Sequence, residues 1–189
     1  AFWWARFIRI ANWFVGHETE RREAGWRPRA MEVQGKTVFP LSTGDITLRG
    51  RADRIDRAIT DNALSVIDYK TGSVPDRKDV CRGLSPQLAV EALIVADGGF
   101  EEVDAQQAAS LEYIRLSGTS TPGEVKAYTG DEAEALITYA NQGLNELLKA
   151  FAAADMPYLA SPRPDLAPRY DDYRHLARYD EWAPGLLEG

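Results

Sequence analysis

The chain has 189 residues, 44% apolar and 10% aromatic, which suits one domain with a sizeable core and excludes a disordered or fibrous protein. No apolar run approaches the ~20 residues that span a bilayer, and the opening AFWWARFIRIANWF is broken by Arg6, Arg9 and Asn12, so it reads as neither a span nor a signal peptide. The net charge of −7 argues against a simple polyanion binder, yet residues 1–59 carry eleven Lys and Arg against seven Asp and Glu, so nucleic-acid contact is expected in the first half.

Residues 2–23 have Trp3, Phe7, Ile10 and Phe14 at helical spacing, and Gly25 with Pro28 closes the pattern. Position 1 is Ala rather than Met, and the sequence opens inside this helical pattern, so a fragment of a longer protein is expected. Residues 30–40 read as a strand, and the turn Ser42-Thr43-Gly44-Asp45 joins it to ITLRGRADRI as an antiparallel hairpin. After the turn Thr60-Asp61-Asn62 comes a third strand, LSVIDYK. Residues 72–84 read as a polar loop. Ser85-Pro86 reads as an N-cap with Pro at the first helical position, opening the helix QLAVEALIVAD. Two further strands, SLEYIRL and EVKAY, precede a helix from Asp131 to about Asp155 with a stripe from Leu136 and Ile137 through Leu144, Leu147 and Phe151. Residues 157–189 read as an irregular C-terminal tail on a single domain spanning 1–189. This order predicts an α/β fold, a mixed central sheet flanked by helices.

Cys81 is alone, which rules out an internal disulfide or a multi-cysteine metal site and suits a reducing cytoplasm. His17 and His175 are far apart in sequence, so a zinc site of ordinary composition is not expected.

The chemistry concentrates in GRADRID (50–56) and VIDYKTG (66–72). Residues two apart on a strand share a face, so Asp68 and Lys70 point the same way. A hairpin of this length can bring Asp53 beside Asp68, and two such carboxylates repel unless a hard cation such as Mg2+ relieves them. Lys70 would then stand next to the metal, placed to orient a water or balance charge on a phosphate. Against this stands the ordinary reading of an Asp-x-Lys strand and a hairpin acid as solvated surface. Asp56, three residues from Asp53, points oppositely and reads as structural, paired with Arg54 or Arg57.

GRADRID, IDYKTG and PQLAVEAL together resemble the motif series of the RecB-like branch of the PD-(D/E)XK nucleases, which have a restriction-endonuclease-like fold. The likeness implies that Asp53 and Asp68 are metal ligands, with the Tyr69 main chain completing the shell. It further implies that Asp53, Asp68 and Lys70 are catalytic, that Mg2+ is the cofactor with Mn2+ able to substitute, and that Gln87 positions DNA. The run from Leu48 to Asp56 and from Ile67 to Gly72 is most similar to the AddB component of AddAB-type helicase–nucleases, and the tail HLARYDEW to its alphaproteobacterial form. That implies exonuclease action in double-strand-break repair and recombination, with DNA and an AddA-like helicase as partners. The sequence departs from the family where a tyrosine is usual: the position holds Glu91, which could reach the metal or a basic neighbour. A Gly-Thr-x-x-His helix present in some members is not found, and the four-cysteine iron–sulphur cluster of many AddB-type proteins cannot form with Cys81 alone.

Arg51 and Arg54, with Arg49 and Arg57 beside them and Arg77, Lys78 and Arg82 in the later loop, are candidates for positioning phosphates. Glu32 on the first strand is a further candidate site residue, equally readable as an exposed carboxylate. His17 reads as a polar-face helix residue, and the aromatic cluster of the first helix as core or interface rather than a base-stacking platform. Two other readings compete with the nuclease: a nuclease-fold DNA-binding module without activity in isolation, and a metal-dependent phosphohydrolase of small nucleotides.

Overall fold

A computed structural model describes residues 2–159, 163, 166, 175, 176, 178 and 181. Most of the tail expected over 157–189, and half of HLARYDEW, lies outside the described residues. The chain divides into two compact units, Ala1–Lys149 and Ala150–Gly189, and everything that positions the site belongs to the first. Among the described residues no helix is long and apolar enough to cross a membrane.

The first helix is α1 (Phe2–Glu23), and the strands are β1 (Trp26–Phe39), β2 (Ile46–Ala58), β3 (Leu64–Lys70), β4 (Ala108–Leu116) and β5 (Gly123–Thr129). They form one sheet in the order β1-β2-β3-β4-β5, antiparallel throughout except for the parallel pair β3–β4. A parallel pair needs a crossover, and α2 (Arg77–Cys81) and α3 (Gln87–Ala96) provide it. The mixed sheet flanked by helices is the fold class that the order of elements predicts.

Alternation divides the sheet into two faces. Ile55, Val66, Leu111 and Tyr128 are successive partners across four strands, and all are buried. They form a core with Leu88, Ala92 and Val95 of α3 and with Ala133, Leu136 and Ile137 of α4 (Asp131–Ala152). Gly35 and Gly50 let this layer close: a Cβ on Gly35 would stand 2.4 Å from Phe100, and one on Gly50 2.8 Å from Ile94 Cδ1. Side chains at either position would lift α3 off the hairpin.

The opposite face is covered by α1 and holds a network of buried charges beside the buried Ile67 and Ile114. Arg21 donates to Asp56 (2.7 Å) and Glu112 (2.7 Å), while Arg54 donates to Asp56 (2.6 and 2.9 Å) and Glu18 (2.6 Å). Ser65 and Ser110 also donate to Glu112. Asp56 is 0% exposed, a position tolerable for a carboxylate only because both guanidinium groups satisfy it. Burial works against the charge on Arg54, but hydrogen bonds to Asp56 and Glu18 outweigh it and hold its pKa above the ordinary value. Asp56 therefore lies on the face opposite Asp68, bonded to Arg54 and Arg21, while Arg57 pairs with Asp104 instead.

Four expectations need correction. The first strand begins at Trp26, not at residue 30; it accommodates Pro28 because β1 is an edge strand and its register shifts between Pro28 and Ala30. The polar loop contains the short helix α2, capped by Asp76, whose side chain accepts from Lys78 N. Ser85 does not cap α3: Pro86 is the N-cap residue, in the helical region, and no side chain caps the end. In α4 the apolar stripe is buried only near its start, and Leu147 is 52% exposed.

The aromatic residues of α1 divide in the same way. Trp13 packs against Gly123 and stacks on His17, and Phe14 meets the Tyr69 ring at 6.1 Å between centroids. Trp4 and Phe7 are exposed.

Candidate active site

The β2–β3 register ends at the pair Arg54 and Ile67. One step further, the same register sets Asp53 opposite Asp68, but there the strands part: β2 continues along β1, and β3 continues along β4 as far as Lys70 and Arg115. The parting would leave the Tyr69 N–H without a ladder partner, and the Asp53 carboxylate supplies one, accepting from it through Oδ2 at 2.9 Å. Asp53 is thus held at the mouth of the gap by the backbone of the Asp-Tyr-Lys strand.

Asp68 lies just inside and is 2% exposed. Lys70, on the same face, donates to Asp68 Oδ1 at 2.9 Å and stands 2.8 Å from Oδ2 without hydrogen-bond geometry to it. Burial pushes the Asp68 pKa up, the Lys70 hydrogen bond and charge pull it down, and the Asp53 charge adds to the rise. Tyr113, the β4 partner of Asp68, forms the floor; its ring lies 5.7 Å from Lys70 Nζ. Burial and the Asp68 charge keep its phenol protonated well above the usual range.

The first turn of α3 closes the cluster. Lys70 Nζ also donates to Gln87 Oε1 at 2.9 Å, and Gln87 Nε2 donates to Glu91 Oε1 at 3.2 Å. Positions 87 and 91 share a helix face, and Gly50 lets that face approach β2, its virtual Cβ lying 4.0 Å from Glu91 Cγ. Glu91 is 3% exposed, and its pKa is pushed up to about 8, chiefly by burial and then by the charges of Asp68 and Asp53, against the Gln87 hydrogen bond.

The structure therefore brings Asp53, Asp68, Lys70, Tyr69, Gln87 and Glu91 together. It brings neither the Arg54 guanidinium nor the Glu32 side chain to the acidic groups of this cluster. Arg54 is 5% exposed on the α1 face, its guanidinium tied to Asp56, Glu18 and the Tyr69 hydroxyl, so it has no surface to offer a phosphate. Glu32 is exposed, with φ +52°, and pairs with Arg51 at 2.6 Å. Arg49, Arg51, Lys78 and Arg82 are exposed, while Arg77 is engaged by Glu132 and the Tyr128 ring. His17 is half-buried, its pKa lowered by burial and by Arg21. Sequence reasoning missed Arg21 and Glu112, which join the Asp56 network; one Arg of an Arg-Arg pair in a charged helix end gives no signal of burial.

The donors fit a hard divalent cation. Asp68 Oδ2 and Glu91 Oε2 are buried oxygens without hydrogen-bond partners, and the Asp53 carboxylate lies beside them. Among the described residues no group of three or more acidic, imidazole or thiol side chains is placed to hold a metal ion.

A model of the PD-(D/E)XK nuclease superfamily matches residues 2–165. Among curated proteins, the chain is 32% identical over 98 residues to an uncharacterized protein of Rickettsia bellii (strain RML369-C), covering 52% of this chain and 12% of that protein. It is 40% identical over 95 residues to one of the subunits of the ATP-dependent helicase/deoxyribonuclease of Desulforudis audaxviator (strain MP104C), covering 44% of this chain and 8% of that one. The chain spans no more than 13% of the length of these and similar relatives. The crystal structure of SSO0001 is similar with a TM-score of 0.39 and 16% identity, over 70% of this chain and 56% of that one. The five-stranded mixed sheet flanked by helices is consistent with the restriction-endonuclease-like fold, and nucleases of this kind generally use divalent metals such as Mg2+. On the match over residues 2–165, the chain belongs to the PD-(D/E)XK nuclease superfamily.

Proposed function

We propose that this chain is the Mg2+-dependent deoxyribonuclease domain of a cytoplasmic helicase–nuclease that trims DNA ends, as an exonuclease, during double-strand-break repair and recombination. The observation that carries the reading is the juxtaposition of Asp53, Asp68 and Lys70 where β2 and β3 part. Membership of the nuclease superfamily supports the chemistry. The partial likeness to a helicase/deoxyribonuclease component supports the setting and a helicase partner.

Asp53, Asp68 and the Tyr69 main chain would hold the cation, which when bound supplies Lewis acidity at the phosphoryl group. Lys70 brings a positive charge to the edge of the gap, held in place by Asp68 and Gln87 and 28% exposed, so it can meet a phosphate oxygen without leaving its partners. Asp53 keeps its orientation through the Tyr69 N–H. Gln87 stands at the exposed rim of the cluster, and the exposed Arg51, Arg49, Lys78 and Arg82 are the cations that would fix the DNA backbone. The protein bears −7 overall, so this contact depends on local cations rather than on a basic surface, and should weaken with salt.

The test is cleavage of end-labelled DNA in Mg2+ by the wild type, Asp68→Ala and Lys70→Ala. Both substitutions should abolish cutting while the circular dichroism spectrum is retained. Undiminished Mg2+-dependent cutting by either variant would contradict the assignment. DNA-end binding without metal-stimulated cutting by the wild type would favour the binding-module reading.

A further inference from the structure

Resting on that reading, the geometry points to Glu91 as a third carboxylate of the cation site, acting through Oε2, with Gln87 as the positioning residue that aims it. Glu91 projects from the first turns of α3 into the cluster holding Asp53, Asp68 and Lys70, and it is 3% exposed. Its two oxygens have different surroundings. Oε1 accepts from Gln87, whereas Oε2 is buried and has no hydrogen-bond partner. Asp68 Oδ2 is in the same condition.

A buried carboxylate oxygen left without a donor is costly, and buried acids are ordinarily paired or bound to metal. The neighbouring ammonium does not meet the need. Lys70 gives its hydrogen bonds to Asp68 and Gln87, and it reaches Glu91 only through the Gln87 amide. Three acidic side chains, Asp53, Asp68 and Glu91, therefore stand around the one ammonium of Lys70. A hard cation with six oxygen ligands takes such oxygens readily.

The local fold is built to bring Glu91 in. Gly50 has no side chain to hold α3 away from β2, and Gln87, one helical turn earlier, ties Glu91 to the Asp-Tyr-Lys strand through Lys70. Gln87 thereby fixes one Glu91 oxygen and leaves the other without a donor. Among the described residues no group of three or more acidic, imidazole or thiol side chains is placed to hold a metal ion, so ligation requires the Glu91 side chain to move towards Asp53 and Asp68.

The experiment is calorimetric titration of the full chain with Mn2+ alone, in the absence of DNA, for the wild type, Glu91→Gln and Asp68→Asn. Glu91→Gln keeps the shape and the bond from Gln87 while removing the charge. The expected result is Mn2+ affinity lowered about tenfold or more in Glu91→Gln, with Asp68→Asn lowered at least as far. Glu91→Asp, which keeps the charge but shortens the reach, should fall between wild type and Glu91→Gln. Gln87→Ala should weaken binding less than Glu91→Gln, since it frees the carboxylate without removing it. Wild-type affinity in Glu91→Gln, with binding lost in Asp68→Asn, overturns the role of Glu91 and leaves the Asp53–Asp68 site standing. No Mn2+ binding by the wild type, or binding unaffected by Asp68→Asn, overturns both.

Discussion

Asp56→Asn removes one charge from the network under α1 while preserving its shape. Asp56 accepts from Arg21 Nε at 2.7 Å and from Arg54 Nε and Nη2 at 2.6 and 2.9 Å, with none of its surface exposed. Hydrogen bonds to charged groups contribute about 1.5–3 kcal/mol each, but they are not additive where they share a group. Breaking a buried pair by removing one partner costs about 3–5 kcal/mol. Asparagine keeps one acceptor oxygen but turns an amide towards a guanidinium, so a loss of about 3 kcal/mol is expected. With a urea m-value of about 2 kcal/mol/M, the unfolding midpoint should fall by about 1.5 M. Urea titration followed by circular dichroism reads this directly, with the exposed Glu101→Gln as a control expected to change stability by less than about 0.5 kcal/mol. Glu112→Gln should also destabilise, and the double variant should lose less than the sum because both acids share Arg21. A loss below about 1 kcal/mol at unchanged m-value would refute the view that the charges beneath α1 hold it to the sheet.

Two other outcomes follow from the opposite face. Gly50→Ala puts a methyl 2.8 Å from Ile94 Cδ1, so it should cost about 1–3 kcal/mol by overpacking; Ile94→Val, which deletes that methyl, should recover part of the loss in thermal unfolding, and no recovery would mean the clash is not the cause. Glu91 gives a pH effect, because its pKa rises from the ordinary 4.5 to about 8 in the fold. The folded state holds the proton more tightly than the unfolded chain, so stability in chelator falls as pH rises between those values and levels off above about 8. Glu91→Gln should flatten that slope, and an unchanged slope would assign it to another group.

The strands and the acid pair were legible because their signals are local. Residues 64–68 are a continuous buried run, and the fifteen residues from Asp53 to Asp68 match the register that the hairpin adopts. The position of Gln87 and Glu91 on one helix face was legible from their spacing of four. What spacing did not reveal was the direction of the arginines. Arg51 and Arg54 look alike in GRADRID, yet one lies on the surface against Glu32 and the other lies under α1 between Asp56 and Glu18. That difference depends on which helix covers which face, a long-range fact. Glu32 failed to join the site for a related reason: its left-handed backbone interrupts the alternation that its strand neighbours imply.

The central claim is that Asp53 and Asp68 jointly hold a divalent cation where β2 and β3 part. Its most direct test is the anomalous scattering of Mn2+ soaked into crystals of the protein. The expected result is a peak within ligand distance of carboxylate oxygens of both Asp53 and Asp68. A peak that touches neither, or none at saturating Mn2+, would contradict it.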